Sequence, residues 1–164
     1  MQTKFNFNAE KNLDVLSNGA FLTALDGGTL NTMTISWGAV GIMWGRPVFV
    51  VMVRASRFTH GIIEKSNEFT VTLPANNMDS ALDFCGRASG RDVTKFQAIK
   101  IKSVKSAKIN TPRIDCPGTH YECMVLFKTD MSPKALDITT KETWYKDGDY
   151  HTFYFAEIVN TEVV

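Results

Sequence analysis

The sequence predicts a mainly β fold, a closed or split β-barrel carrying short helices. Six or more short runs are rich in Val, Ile, Thr, Phe and Tyr, and turn residues separate them. Clear helical spacing appears in only two short runs. No G-x-G-x-x-G or Walker motif argues instead for a parallel α/β sheet.

Taken in order, residues 1–10 read as a poorly patterned arm. Residues 20–25 and 29–40 read as two strands joined by the turn residues Asp26-Gly27-Gly28. Inside the second lies Asn31-Thr32-Met33-Thr34-Ile35-Ser36-Trp37. Side chains alternate along a strand, so Met33, Ile35 and Trp37 share one face and Thr32, Thr34 and Ser36 the other. Residues 48–53 form a near-continuous apolar strand, the pattern of burial on both faces. A helix follows over residues 57–66, with Ser56 placed to cap it and Phe58 and Ile62 spaced to share its buried side. Residues 68–73 make a strand stopped by Pro74. Asn76 or Asn77 caps a second helix reaching about Cys85, with Met78, Ala81, Leu82 and Cys85 at helical spacing. Residues 99–105 and 121–129 read as strands, and residues 132–140 as holding one helical turn. Asp147-Gly148 is a hairpin signal leading into a strand over residues 150–159.

A chain of 164 residues is expected to form one domain, residues 1–164, around one core. A hydrophobic share of 44% and a charged share of 21% place it among soluble globular chains rather than disordered ones. A formal charge of +1 offers no attraction for nucleic acid or an anionic membrane, so neither is expected as a partner. Lys102, Lys105 and Lys108 alternate with Val104 and Ala107, as lysines do along an edge segment. Lys4, Glu10, Lys11 and Asp14 leave no room for the apolar core of a signal peptide. The longest uncharged run, residues 27–45, is broken by polar residues and closed by Arg46-Pro47, so no membrane helix is expected. Three cysteines and no N-x-S/T sequon suit a reducing cytoplasm.

The candidate chemistry lies in Arg54-Ala55-Ser56-Arg57-Phe58-Thr59, where an apolar strand gives way to a helix. Free N–H groups at a helix start, with hydroxyls and arginines beside them, make an anion site. Ser56, Arg57 and Thr59 are the expected phosphate ligands. Arg54 either joins them or pairs with a carboxylate such as Asp92. A hydroxyl-lined strand next to such a site suits a nucleotide-like cofactor such as FMN. The same residues also read more plainly. Alternating threonines line the wet face of many half-buried strands, and a serine before a helix is usually only a cap.

Other chemistries fare worse. There is no G-x-S-x-G elbow, and His60, His120 and His151 read as surface or rim residues rather than bases. No catalytic side chain is expected. Cys116, His120 and Cys123 are a partial zinc pattern without a fourth local ligand, so no metal is expected. Cys85, near Arg87 and Arg91 at a helix end, reads as a redox thiol or, more simply, as a buried helix cysteine.

The pattern N-T-M-T-I-S-W-G-A-V-G-I-M-W-G-R-P, then V-R-A-S-R-F-T, then F-T-V-T-L-P, resembles the flavin reductase-like FMN-binding split-barrel family, flavoredoxin-type branch. The likeness continues through Cys85-Gly86, Ser89-Gly90-Arg91-Asp92, Lys95-Phe96 and Glu122-Cys123 to the closing strand, from about residue 19 to 159. It implies an FMN-binding split barrel. The isoalloxazine would lie along Asn31, Thr32, Met33, Thr34, Ser36 and Trp37, with backbone N–H groups near Asn31 and Met33 donating to the ring. Lys95 would add a cation behind the Ser89–Asp92 loop; it reads equally as a surface lysine. The implied activity moves electrons from reduced nicotinamide or a redox-protein donor through FMN to flavin or a redox-protein acceptor. The alternatives are an electron carrier without nicotinamide activity, or a non-redox split barrel binding something else. The resemblance also implies a homodimer that completes the FMN site. Residues 40–53, with Met43, Trp44, Phe49 and Met52, carry more apolar surface than one small core absorbs.

Overall fold

In the computed structural model, which describes residues 4–164, the chain forms α1 (Ala9–Asn18), β1 (Ala20–Asp26), β2 (Thr29–Ile35), β3 (Gly38–Met43), β4 (Arg46–Arg54), α2 (Phe58–Ser66) and β5 (Glu68–Pro74). It continues with α3 (Asp79–Arg87), α4 (Lys95–Ala98), β6 (Ser103–Val104), β7 (Arg113–Ile114), β8 (Gly118–Asp130), α5 (Ile138–Trp144) and β9 (His151–Val163). Seven strands pair antiparallel in the order β2-β1-β5-β8-β9-β4-β3, and β6 and β7 form a separate ribbon.

Consecutive strands β2 and β3 therefore sit at opposite edges of one sheet, joined only by Ser36 and Trp37. The sheet must curl for two residues to bridge its edges, which gives the split barrel. One face of every large strand feeds the same core: Leu22, Met33, Phe49, Val71, Tyr121 and Tyr154 are members, and Val40 of β3 packs against it. Phe49 meets the Tyr121 ring edge-on at 5.4 Å, and the Tyr121 hydroxyl accepts from Asn12 Nδ2 at 2.9 Å, which seats α1 across one end. Outside the barrel, α3 and β7 cover β1 through Phe21, Leu82, Cys85, Ile114 and Cys116. This two-sided burial matches β1, whose first five residues are all buried and, apart from Thr23, apolar.

The strand expected over residues 29–40 is two strands. Alternation stops at Ile35 because the chain is pressed against β4. A Cβ on Gly38 would stand 2.9 Å from the Val50 carbonyl oxygen. The expected arm over residues 1–10 runs into α1 from Ala9, closed by Gly19 at φ 136°; residues 1–3 lie outside the described residues. Ser56 does not cap α2: Arg57 holds that position, without a side-chain cap. Neither Asn76 nor Asn77 caps α3: Met78 holds that position, and Asn77 Oδ1 accepts the Asp79 N–H at 3.0 Å from just outside it. The strand expected over residues 99–105 shrinks to Ser103–Val104.

Asp147-Gly148 makes no hairpin. Between β8 and β9 runs a twenty-residue connector, 131–150, containing α5, and Gly148 at φ 72° turns the chain after that helix. Among the described residues no helix is long and apolar enough to cross a membrane.

Candidate functional site

β2 has a strand partner on one side only, so its outer edge leaves main-chain groups open to other contacts. Two pockets lie along this edge and share Met33 and Arg57. The first, of about 210 Å³, is cationic. Asn31, Ser56, Thr59, Lys95 and the Ser89–Arg91 turn line it, with Arg57, Arg87 and Arg91. The second, of about 190 Å³, is aromatic, with Thr34, Ser36, Trp37, Met52, Arg54, Trp144 and His151 around it.

In the cationic pocket, Asn31 Nδ2 donates to Thr59 Oγ1 at 2.8 Å, and both residues are buried. This bond ties β2 to the first turn of α2. Lys95 is no surface lysine: only 3% of it is exposed, and its Nζ donates to the Thr32 carbonyl at 2.8 Å and the Cys85 carbonyl at 2.7 Å. Burial pulls its pKa down; the Cys85 thiol opposes this and the Arg57 charge adds to it. Arg57 Nη1 donates to the Gly86 carbonyl at 3.3 Å, and Arg91 Nη1 to the Ser56 carbonyl at 2.9 Å. Among the described residues, Arg57, Arg91 and Lys95 have no carboxylate within ion-pair distance. Arg87, by contrast, pairs with Asp83 at 2.8 Å. Gly90 must be glycine here, because a Cβ would stand 2.4 Å from both Asn31 Oδ1 and the Phe58 ring.

Several expected ligands are used differently. The Ser56 hydroxyl and N–H both go to the Asp149 carboxylate, at 2.6 and 3.3 Å. Arg54 does not pair with Asp92: it donates to the Trp144 carbonyl at 2.8 Å and to the Asp149 carbonyl. Both residues thus pin the connector to the end of β4. The threonine face of β2 is not wet. Thr32 Oγ1 lies buried against Thr23 Oγ1 at 3.0 Å, and Thr34 Oγ1 donates to the Leu82 carbonyl at 2.6 Å, under α3. Thr32 lines neither pocket with its side chain. Met33 keeps its place beside the cleft as well as in the core. Trp37 is not in the core: the strand ends before it, and its ring meets Trp144 edge-on at 4.8 Å.

Sequence reasoning missed Trp144, Asp149 and His151. The signal was the aromatic run flanking Asp147-Gly148, overlooked because that dipeptide read as a simple hairpin. Two of the three histidines are buried rather than at the surface, and His60 is half-buried. His120 is in the interior, His151 is buried beside Trp37, and His60 Nε2 meets Thr152 Oγ1 at 3.0 Å. Burial, then the Arg54 charge, pushes the His151 pKa down to about 4. Both His120 ring nitrogens are committed, to Thr72 and the Cys116 carbonyl. Among the described residues no group of three His, Cys, Asp or Glu is placed to hold a metal. Burial raises the Cys85 thiol pKa against the pull of Lys95, and pushes Cys116 up to about 11, so neither is an activated thiolate.

Residues 16–164 match the family model of the flavin reductase like domain, and the chain belongs to that family. An uncharacterised protein of Archaeoglobus fulgidus is 26% identical over 123 residues, covering 72% of this chain and 69% of its own. Among solved structures, the flavoredoxin of Methanosarcina acetivorans superposes with a TM-score of 0.70 at 22% identity, over 89% of this chain and 68% of its own. An FMN-binding protein from Thermus thermophilus, with bound 1-cyclohex-2-enone, gives 0.70 at 21% identity, over 88% and 69%. At these identities the likeness is one of fold, the FMN-binding split barrel of flavin reductase-like proteins.

Proposed function

We propose that this protein binds FMN along the outer edge of β2 and works as an oxidoreductase of the flavin reductase and flavoredoxin type. The observation that carries the reading is a charge imbalance: Arg57, Arg91 and Lys95 converge on one pocket, without carboxylate partners among the described residues. A phosphate dianion is the chemistry that such a donor set fits. Arg57, Thr59 and Lys95 would hold the phosphate, with Asn31 keeping Thr59 in place. The adjoining aromatic pocket fits a flat ring, with Met33, Thr34, Ser36 and Trp37 beside it and the open main-chain edge around Thr32 facing it. FMN, when bound, supplies the ring that takes and gives electrons. The chain's own part is to orient that ring, exclude water from it and set charge around it; no side chain is needed as acid or base. Electrons would come from reduced nicotinamide or a redox protein and leave to flavin or a redox-protein acceptor. Arg54 and Ser56 serve the site indirectly, by fastening the connector that carries Trp144. Three free, buried cysteines support a reducing cytoplasm as its location.

The protein would act as a homodimer. Ile42, Trp44, Met124, Leu126 and Phe127 are exposed on β3, β8 and the turn after β3, and Trp44 meets Phe127 and Phe155 edge-on at 6.1 and 6.2 Å. This patch keeps Ile42 and Trp44 of the run expected from sequence, loses Phe49, which is fully buried in the barrel, and adds residues of β8. Sedimentation tests it: a monomer of 18.3 kDa that retains flavin would defeat the dimer.

The visible spectrum of the purified protein, followed by anaerobic addition of NADH, tests the function. A flavin spectrum that bleaches supports the reductase, and one that stays oxidised supports a carrier. A colourless protein that binds no added FMN removes both. Arg57→Ala should weaken FMN by about 1.5–3 kcal/mol, the range of a charge-assisted bond, and riboflavin much less. Equal weakening of both ligands would place Arg57 away from the phosphate.

A further inference from the structure

Arg54, Arg57 and His151 are the ionisable residues lining the aromatic pocket, and only His151 among them is buried. Its Nδ1 lies 2.8 Å from the Tyr145 hydroxyl, while its Nε2 has no hydrogen-bond partner among the described residues. The ring stands 5.7 Å from that of Trp37, centroid to centroid. Among the described residues no buried side-chain nitrogen or oxygen lacks a partner, so this Nε2 is not sealed off, and its ring lines the pocket.

Tyr145 is itself held firmly. It is buried, its ring stacks on Tyr150 at 5.2 Å and 17°, and the Arg54 guanidinium sits 5.0 Å from its centroid. Burial raises the phenol pKa, against the pull of Arg54, so the hydroxyl keeps its proton. That proton has no acceptor other than His151 Nδ1 among the described residues. A hydroxyl that accepted from Nδ1 would leave its own buried O–H unpaired, at a cost of about 1–3 kcal/mol. The hydroxyl must therefore donate, and Nδ1 must be the acceptor. Burial, with Arg54 and Arg57 facing the ring and only Asp149 opposing them, keeps the imidazole neutral. Its one proton then sits on Nε2.

We propose that Tyr145 is a positioning residue which locks His151 as the Nε2–H tautomer and so gives the aromatic pocket a fixed, neutral hydrogen-bond donor. The chemistry that suits this donor is the carbonyl oxygen of a planar heteroaromatic ring or of its amide substituent. That the carbonyl belongs to a flavin or a nicotinamide rests on the function proposed above; the tautomer does not. The arrangement also gives α5 a purpose. That helix buries no residue of its own, yet Trp144 and Tyr145 at its end form the wall and the anchor of the pocket.

Long-range 15N–1H spectra of the imidazole nitrogens at pH 7 test this directly. The wild-type protein should show a protonated Nε2 and a bare, hydrogen-bonded Nδ1. A proton on Nδ1 overturns the proposal, and this needs no variant. In Tyr145→Phe the two nitrogens should move toward averaged values; unchanged shifts would show that the hydroxyl does not set the tautomer. Addition of one equivalent of FMN, then of NAD⁺, should shift the Nε2 proton with one or the other, which identifies the carbonyl. Flavin that binds with neither ligand moving that proton removes the donor role. Tyr145→Phe should weaken the responding ligand about fivefold, as for one ordinary hydrogen bond. A protein that binds no flavin defeats the functional reading, while the tautomer stands or falls on the spectra.

Discussion

His120 should make the folded state acid-sensitive well above the pH at which carboxylates titrate. The side chain is 1% exposed, its Nε2 donates to the Cys116 carbonyl at 3.0 Å, and its Nδ1 faces the Thr72 hydroxyl at 3.0 Å. A second proton would land on Nδ1, make the Thr72 hydroxyl turn from donor to acceptor, and place a buried charge near Arg113. Burial first, then Arg113, pushes the pKa from 6.5 down to about 4, against the Cys116 carbonyl, Glu162 and Asp115. The unfolded chain therefore binds a proton that the folded one refuses between these values. Stability is complete above pH 6.5 and falls as the pH drops toward 4, where the loss levels off. Integrated from pH 7 to pH 5, one such histidine withdraws about 2 kcal/mol. His151, depressed to about 4 as well, doubles the loss. Urea unfolding at pH 7, 6 and 5 reads the slope. His120→Gln keeps a donor and an acceptor without a titration, and should roughly halve it. A variant with the wild-type slope, or an NMR titration of His120 near 6.5, would refute the reasoning.

Further outcomes follow from individual contacts. Gly90→Ala should force apart Asn31 and Phe58, cost about 1–3 kcal/mol in thermal or urea unfolding, and weaken FMN in a fluorescence titration. Trp37→Ala should leave the barrel folded by circular dichroism, because this ring lies outside the core, and should alter the spectrum of bound flavin. An unfolded variant would contradict that placement. Glu122, 2% exposed, accepts the Ala107 and Lys108 N–H groups at 2.9 and 2.7 Å and Asn160 Nδ2 at 2.9 Å. Glu122→Gln should cost about 1–3 kcal/mol and speed amide exchange at residues 107 and 108.

Much of the barrel was legible because period-two patterning and turn residues survive translation into strands. The runs ending at Asp26 and Pro74 and the apolar run into Arg54 fall where they were expected. Legibility failed where tertiary contacts decide. Ser36-Trp37 continues a strand pattern in sequence, yet the approach of Gly38 to β4 ends the strand there. The threonine alternation of β2 correctly marked one face, but not that α3 would cover it. At the site, local spacing marked Arg57 and Thr59 and the resemblance marked Asn31, and all three line one pocket. The contacts of Ser56 and Arg54 were not legible, because their partners lie about ninety residues away, on a connector whose sequence mimics a hairpin. Lys95 looked like any lysine, since nothing local says that two carbonyls will bury it.

The junction at Ser36 and Trp37 has a mechanical consequence. Elsewhere neighbouring strands are fastened by ladders of hydrogen bonds, but here the two sheet edges are held by a short covalent tether. The aromatic pocket opens beside it, with Ser36 and Trp37 in its wall. Its mouth is thus gauged by chain length rather than by side-chain packing. One residue inserted after Ser36 would add up to about 3.5 Å of slack between the edges, while every ladder in the sheet kept its register. The slot for a flat ring would widen without the barrel being rebuilt, a dimension that evolution or an engineer could adjust one peptide unit at a time.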